Sequence, residues 1–172
     1  CCSPPSDRVI VEPLPRLPDL LALAAANPRR YPCLLESVAS GPVTARYDLL
    51  FVHAGDAITG GPDFLGRFGA ALAGLPPATD PALDALPYTG GYVCLLGYEL
   101  AAECEPILRL PPAPGDAPVA VALRAPAAVV IDRVAGAAWV VAEPGFDHLL
   151  STVRADLDAA PAAVAPARVD AD

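Results

Sequence analysis

The sequence predicts an α+β fold, a layered sandwich of mostly antiparallel sheet with flanking helices. Three observations carry the prediction. Strand-like and helix-like stretches alternate irregularly rather than in regular βα units. The last strand candidates are joined by a short turn of the hairpin kind, which antiparallel strands allow and parallel strands do not. The 22 prolines among 172 residues punctuate the chain too often for long uninterrupted helices.

Taken in order, residues 1–8 read as a flexible leader and Val9–Val11 as a short strand. A helix is expected from Pro18 to Asn27-Pro28, with Leu20, Leu21 and Ala24 on one face. Tyr31–Ser37 reads as a strand that finishes on polar residues, Arg46–His53 as a third strand, and Ala54-Gly55-Asp56 as a turn. Residues 60–75 are expected to form an amphipathic helix carrying Phe64, Phe68 and Leu72 on one side. After an irregular connection, the segment YTGGYVCLLGYE at 88–99 places two glycines before an apolar strand and a third behind it. A helix over Tyr98–Pro106 follows, then a Pro-rich loop and strands at Val119–Leu123, Ala127–Asp132 and Ala138–Ala142. Arg133–Gly136 joins the last two as a hairpin turn. Phe146–Ala159 reads as a final helix, and residues 161–172 have linker composition. The expected organisation is one domain over 9–160 between a leader and a tail.

The net charge is −9 and lysine is absent. Nucleic acid and anionic membranes both require a basic face, so neither is an expected partner. No apolar run reaches the roughly 18 residues of a membrane helix. The five cysteines are irregularly spaced, no CxxC occurs and only two histidines are present, which argues against a zinc site. Cys33 and Cys94 lie in apolar runs and read as small buried hydrophobes. The cysteine pattern suggests a reducing cytoplasm.

Catalytic signatures are missing. There is no GxSxG elbow for a nucleophile, and neither Gly60-Gly61 nor Gly90-Gly91 belongs to a phosphate-binding loop. His53 reads as a turn or surface residue and His148 as a solvated helix residue. Glu99, Glu103 and Glu105 cluster on one predicted helix; a solvated face and a divalent-cation site are both compatible with them. Glu36 and Ser37 end an apolar strand. They read either as a polar pair facing water or as a carboxylate and hydroxyl able to grip an ammonium group. Gly90-Gly91 reads as a point of close backbone packing where a strand enters the core.

Three segments, in this order and spacing, resemble the N-terminal domain of the chorismate-utilising synthases, component I of the aminodeoxychorismate and anthranilate synthase family. They are Leu34-Leu35-Glu36-Ser37, the strand Arg46-Tyr47-Asp48-Leu49-Leu50-Phe51, and the stretch Leu86–Leu100, which is similar to the family's LPFxGGxxGYLGYDL pattern. Val129-Val130-Ile131-Asp132 is a weaker match, with Arg133 where the family often has His. Asp48 after the Arg-Tyr pair looks more like the aminodeoxychorismate branch than the anthranilate branch.

The resemblance implies a scaffold and regulatory domain, inactive alone, of a synthase that converts chorismate and ammonia to 4-amino-4-deoxychorismate for p-aminobenzoate and folate synthesis. The tryptophan-binding domain of anthranilate synthase component I is the alternative within the family. A stand-alone amino-acid-binding module is the alternative outside it. The resemblance further implies no catalytic residue and no cofactor in this chain, and Mg²⁺ in a separate C-terminal catalytic domain. The implied partners are that chorismate-binding domain, a glutamine amidotransferase subunit and L-tryptophan. An effector pocket for tryptophan would draw on Glu36, Ser37, Thr44, Ala45, Arg46 and Tyr47. An exposed apolar surface is expected where the catalytic domain docks.

Overall fold

A computed structural model describes residues 8–36, 45–75, 83–113 and 115–159. The expected leader apart from Arg8, most of the loop before Ala45, the tail, and the site candidates Ser37 and Thr44 lie outside these residues. Among the described residues the order is β1 (Ile10–Pro13), α1 (Leu20–Ala26), β2 (Cys33–Leu35), β3 (Tyr47–Val52), β4 (Ala57–Thr59), α2 (Phe64–Ala73) and β5 (Tyr92–Leu96). A 3₁₀ turn at Tyr98–Leu100 leads into α3 (Ala101–Cys104), followed by β6 (Ala120–Arg124), β7 (Ala127–Asp132), β8 (Ala137–Ala142) and α4 (Asp147–Ala159).

The strands form two antiparallel sheets, one of five strands in the order β1-β8-β7-β3-β2 and one of three in the order β4-β6-β5. This is the α+β architecture with antiparallel sheet and flanking helices. Period-two alternation sorts the large sheet's side chains onto two faces. Leu50, Val52, Val129, Ile131, Val140 and Ala142 point to one face and form the main core with Leu20 and Leu23 of α1 and Leu149, Leu150 and Val153 of α4. Phe51, Ala128, Val130 and Val141 point to the other and are covered by Leu86, Tyr88 and Val93. The small sheet packs Ala120 and Ala122 under Phe64 and Phe68 of α2.

Several boundaries differ from the sequence expectation for local reasons. Helix α1 starts at Leu20, because Asp19 is extended and its carboxylate caps the Ala22 amide at 2.9 Å. The buried pair on α1 is Leu20 and Leu23; Leu21 is 65% exposed. Helix α2 begins at Phe64, not at Gly60, since Gly60 donates to Ala120 and extends the pairing of β4 with β6. Strand β4 itself has only three residues, too few to show a period. Cys33 is half-buried and Cys94 is exposed, so neither is the buried hydrophobe expected. Only the glycine entry of the Gly-Gly strand is enclosed, with Gly91 buried; Cys94, Leu95 and Leu96 face water.

Helix α4 is fastened to the sheet by polar contacts as well as by its leucines. Tyr31, buried before β2, donates its hydroxyl to Asp156 at 2.6 Å, and Arg30 pairs with the same carboxylate. Burial, and then Asp156, push the Tyr31 phenol well above its ordinary range. Every buried side-chain polar atom among the described residues has a partner.

Candidate functional site

One end of the large sheet gathers charged groups. Adjacent strands β2, β3 and β7 finish or begin there, which brings together Glu36, Arg46, Tyr47, Asp48, Asp132 and Arg133. Asp132 is 2% exposed and fully engaged. Its Oδ2 accepts from Arg46 Nε at 3.0 Å and Nη2 at 2.8 Å, while its Oδ1 accepts from the Val134 and Ala135 amides at 2.9 and 3.0 Å. The same carboxylate thus ties β3 to β7 and shapes the β7–β8 hairpin. Arg133 lies between two more carboxylates, with Nε 2.6 Å from Asp48 Oδ2 and Nη2 3.6 Å from Glu36 Oε1. Arg46 also sits 4.8 Å from the centre of the Tyr47 ring, and the Tyr47 hydroxyl donates to the Ala85 carbonyl at 3.3 Å.

Of the sequence-predicted pocket residues, Glu36, Ala45, Arg46 and Tyr47 therefore share this sheet end. Ala45 is buried. Glu36 differs in its environment from the other two carboxylates: its side chain is 50% exposed, against 6% for Asp48 and 2% for Asp132. Three carboxylates and two guanidiniums leave one net negative charge here, and Glu36 presents it to solvent. Of the other charges at this end the Arg46 side chain, 48% exposed, is the most open to solvent.

The Arg46 guanidinium, joined by the Ala135 and Val134 amides, holds the Asp132 carboxyl below its usual value of 3.8 against the opposing effect of desolvation. The folded state therefore binds fewer protons at Asp132 than the unfolded chain does. The resulting stabilisation is complete above the unfolded value and fades as pH falls through the folded one. Urea midpoints of the wild type and Asp132→Asn should differ by a constant amount from neutral pH down to about pH 5, begin to approach each other near about pH 4, and meet only below the folded value. A gap that persists unchanged at lower pH would remove Asp132 titration from the account.

A second assembly surrounds Gly90-Gly91. Arg124, at the end of β6, and Glu143, just after β8, form a bidentate pair in which Nη1 donates to Oε1 at 2.7 Å and Nη2 pairs with Oε2. Both residues are buried. Arg124 Nη1 also donates to the Gly91 carbonyl at 2.8 Å, and the guanidinium carbon lies 5.4 and 5.3 Å from the centres of the Tyr92 and Phe146 rings. The Tyr88 hydroxyl donates to the Ala125 carbonyl, and the Ala125 amide donates to Gly91 at 3.0 Å. Gly90 has φ +130°, and a Cβ there would fall inside the Glu143 side chain. The close packing expected of the Gly pair is met at Gly90, against a charged latch joining both sheets, and not at Gly91, where a Cβ would meet open space.

Arg124 and Glu143 escaped the sequence reading. The available signal was a lone charge of each sign at the ends of apolar strands, each of which requires a partner if buried. The acidic cluster has a structural use in part: Glu103 Oε1 accepts the Leu65 amide at 2.9 Å and caps the start of α2. Among the described residues no group of three or more His, Cys, Asp or Glu is placed to hold a metal ion. His53 Nδ1 lies 3.0 Å from the Arg124 carbonyl, and His148 is exposed on α4. No described helix is long and apolar enough to cross a membrane.

Compared with models of known protein families the chain matches none, and no curated protein matches it.

Proposed function

We propose that this chain is the N-terminal scaffold and regulatory domain of an aminodeoxychorismate synthase component I, working in the cytoplasm with a C-terminal chorismate-binding domain and a glutamine amidotransferase subunit. The observation that carries the reading is spatial. Leu34-Leu35-Glu36, Arg46–Phe51 and Val129–Asp132, which carry three of the four likenesses to that family, occupy the neighbouring strands β2, β3 and β7 and converge at one sheet end. The fourth, Leu86–Leu100, packs Leu86, Tyr88 and Val93 on the face of the same sheet opposite the main core.

The chemistry of this end suits an amino-acid effector. Glu36, beside Arg133 and Asp48, offers an exposed carboxylate for an ammonium group. Tyr47 alternates to the other sheet face with Leu49 and Phe51, where its ring offers an apolar surface to a covering domain rather than to the same ligand. Val11, Leu49 and Trp139 on the same sheet face are only partly buried and suit a covering domain. The Mg²⁺ and the basic residues for chorismate belong, on this reading, to the catalytic domain.

Calorimetric titration with L-tryptophan, with and without the separately expressed catalytic domain, tests the effector reading. Binding by the pair, lost in Ser37→Ala and Glu36→Gln, is the expected result. Formation of 4-amino-4-deoxychorismate from chorismate and ammonia only when both pieces are mixed tests the scaffold reading. Formation of anthranilate instead would assign the alternative branch. Tryptophan binding by this chain alone, with no gain from the second domain, would favour a stand-alone amino-acid-binding module.

A further inference from the structure

Among the described residues strand β5 lies at the margin of the small sheet, hydrogen-bonded on one side to β6. The parity of that pairing is fixed by two bonds in its register: Gly97 donates to Val119, and Ala125 donates to Gly91. Residues 91, 93, 95 and 97 therefore turn their main-chain groups toward β6. Tyr92, Cys94 and Leu96 turn theirs to the outer edge. The side chains near this edge are exposed and apolar: Cys94, Leu95 at 65%, Leu96 at 53% and Tyr98 at 80%. From Tyr88 to Tyr98 the chain has no charged residue, and none of Tyr92–Leu96 is proline. Lysines, prolines and bulges are the usual guards of an edge strand, and this one has none of them.

We infer that this edge pairs with the same edge of a second copy, joining two three-stranded sheets into one continuous antiparallel sheet. Three features point to a second copy rather than a different chain. The outward groups at Tyr92, Cys94 and Leu96 are symmetric about Cys94, so a two-fold axis through Cys94 satisfies all of them at once. That register opposes Tyr92 to Leu96 and Val93 to Leu95, all apolar and on matching faces, and sets Gly91 against Gly97 where no side chain intrudes. It also brings together uncharged stretches of a chain whose net charge is −9, so like charges do not meet at the seam. The inference does not depend on which synthase branch, if any, the chain serves.

Light scattering of the purified chain at rising concentration reads the mass directly. The expected result is a shift from 17.6 kDa to twice that value, abolished by Leu95→Lys, with far-UV circular dichroism and melting temperature retained. Hydrogen exchange supplies an independent readout, with the Cys94 and Leu96 amides protected in the dimer and free to exchange in Leu95→Lys. A variant keeping Cys94 as its sole cysteine should form a disulfide-linked dimer under copper-phenanthroline, because directly opposed residues of an antiparallel pair lie about 5.5 Å apart at Cα. A monomer at every concentration overturns the inference, as does a dimer that survives Leu95→Lys. Protection of the Cys94 and Leu96 amides only when a different protein, such as a separately expressed catalytic domain, is added would assign the edge to that protein and equally overturn it.

Discussion

Replacing Gly90 with alanine should be among the most destabilising single changes in the molecule. Two independent penalties coincide there. The backbone at φ +130° is a conformation that essentially only glycine adopts without strain, and holding another residue there costs about 1–3 kcal/mol. The added Cβ would also occupy the space of the Glu143 side chain. A side chain at the surface would swing away, but Glu143 is buried and gripped at both oxygens by Arg124. Yielding to the methyl group therefore means loosening the latch. A loss of about 3 kcal/mol or more is expected, which for a chain of this length lowers the melting temperature by roughly 10 °C. Urea and thermal unfolding of Gly90→Ala, with Gly91→Ala for comparison, check this. Gly91 has a similar φ of +129° but open space around its missing Cβ, so it should suffer only the backbone strain. Equal losses at the two positions would show that Glu143 does not enforce the glycine.

How far the sequence discloses the molecule depends on whether the information is local. Strands β7 and β8 are readable to within a residue because each is a six-residue apolar run bounded by Asp132, a turn and Glu143. Helix α4 is equally plain. Strand β4 is not, since three residues have no period and exist as a strand only because β6 lies beside them. The face of α1 is misjudged because an alanine-rich helix offers few apolar landmarks, and Leu23 rather than Leu21 meets the core. Cys94 reads as buried in an apolar run, yet its strand forms a sheet margin, a fact of topology that no local pattern encodes. The convergence of Glu36, Arg46 and Tyr47 is foreseeable only through family likeness. The Arg124–Glu143 pair joins residues 19 apart through a hairpin, so neither charge reveals its partner by spacing.

That pair supports the second large expectation. Glu143→Ala or Arg124→Ala leaves one buried charge without its counter-ion, and breaking a pair this way costs about 3–5 kcal/mol. The two truncations should not be equivalent in structure. Loss of Arg124 removes a donor to Gly91 and the cation near the Tyr92 and Phe146 rings as well as the ion pair. Loss of Glu143 opens room beside Gly90. Replacing both with apolar residues of similar volume, Arg124→Met with Glu143→Leu, removes both charges together and should cost less than either truncation, since no ion is stranded. The Gly91 carbonyl keeps the Ala125 amide as a donor in that variant, which limits the remaining penalty. A double-mutant cycle from urea unfolding measures the coupling directly. Additive losses would mean that the two charges act separately. A coupling of several kcal/mol, together with suppression of the Gly90→Ala penalty in the Glu143→Ala background, would establish that glycine, carboxylate and guanidinium form one latch between the sheets.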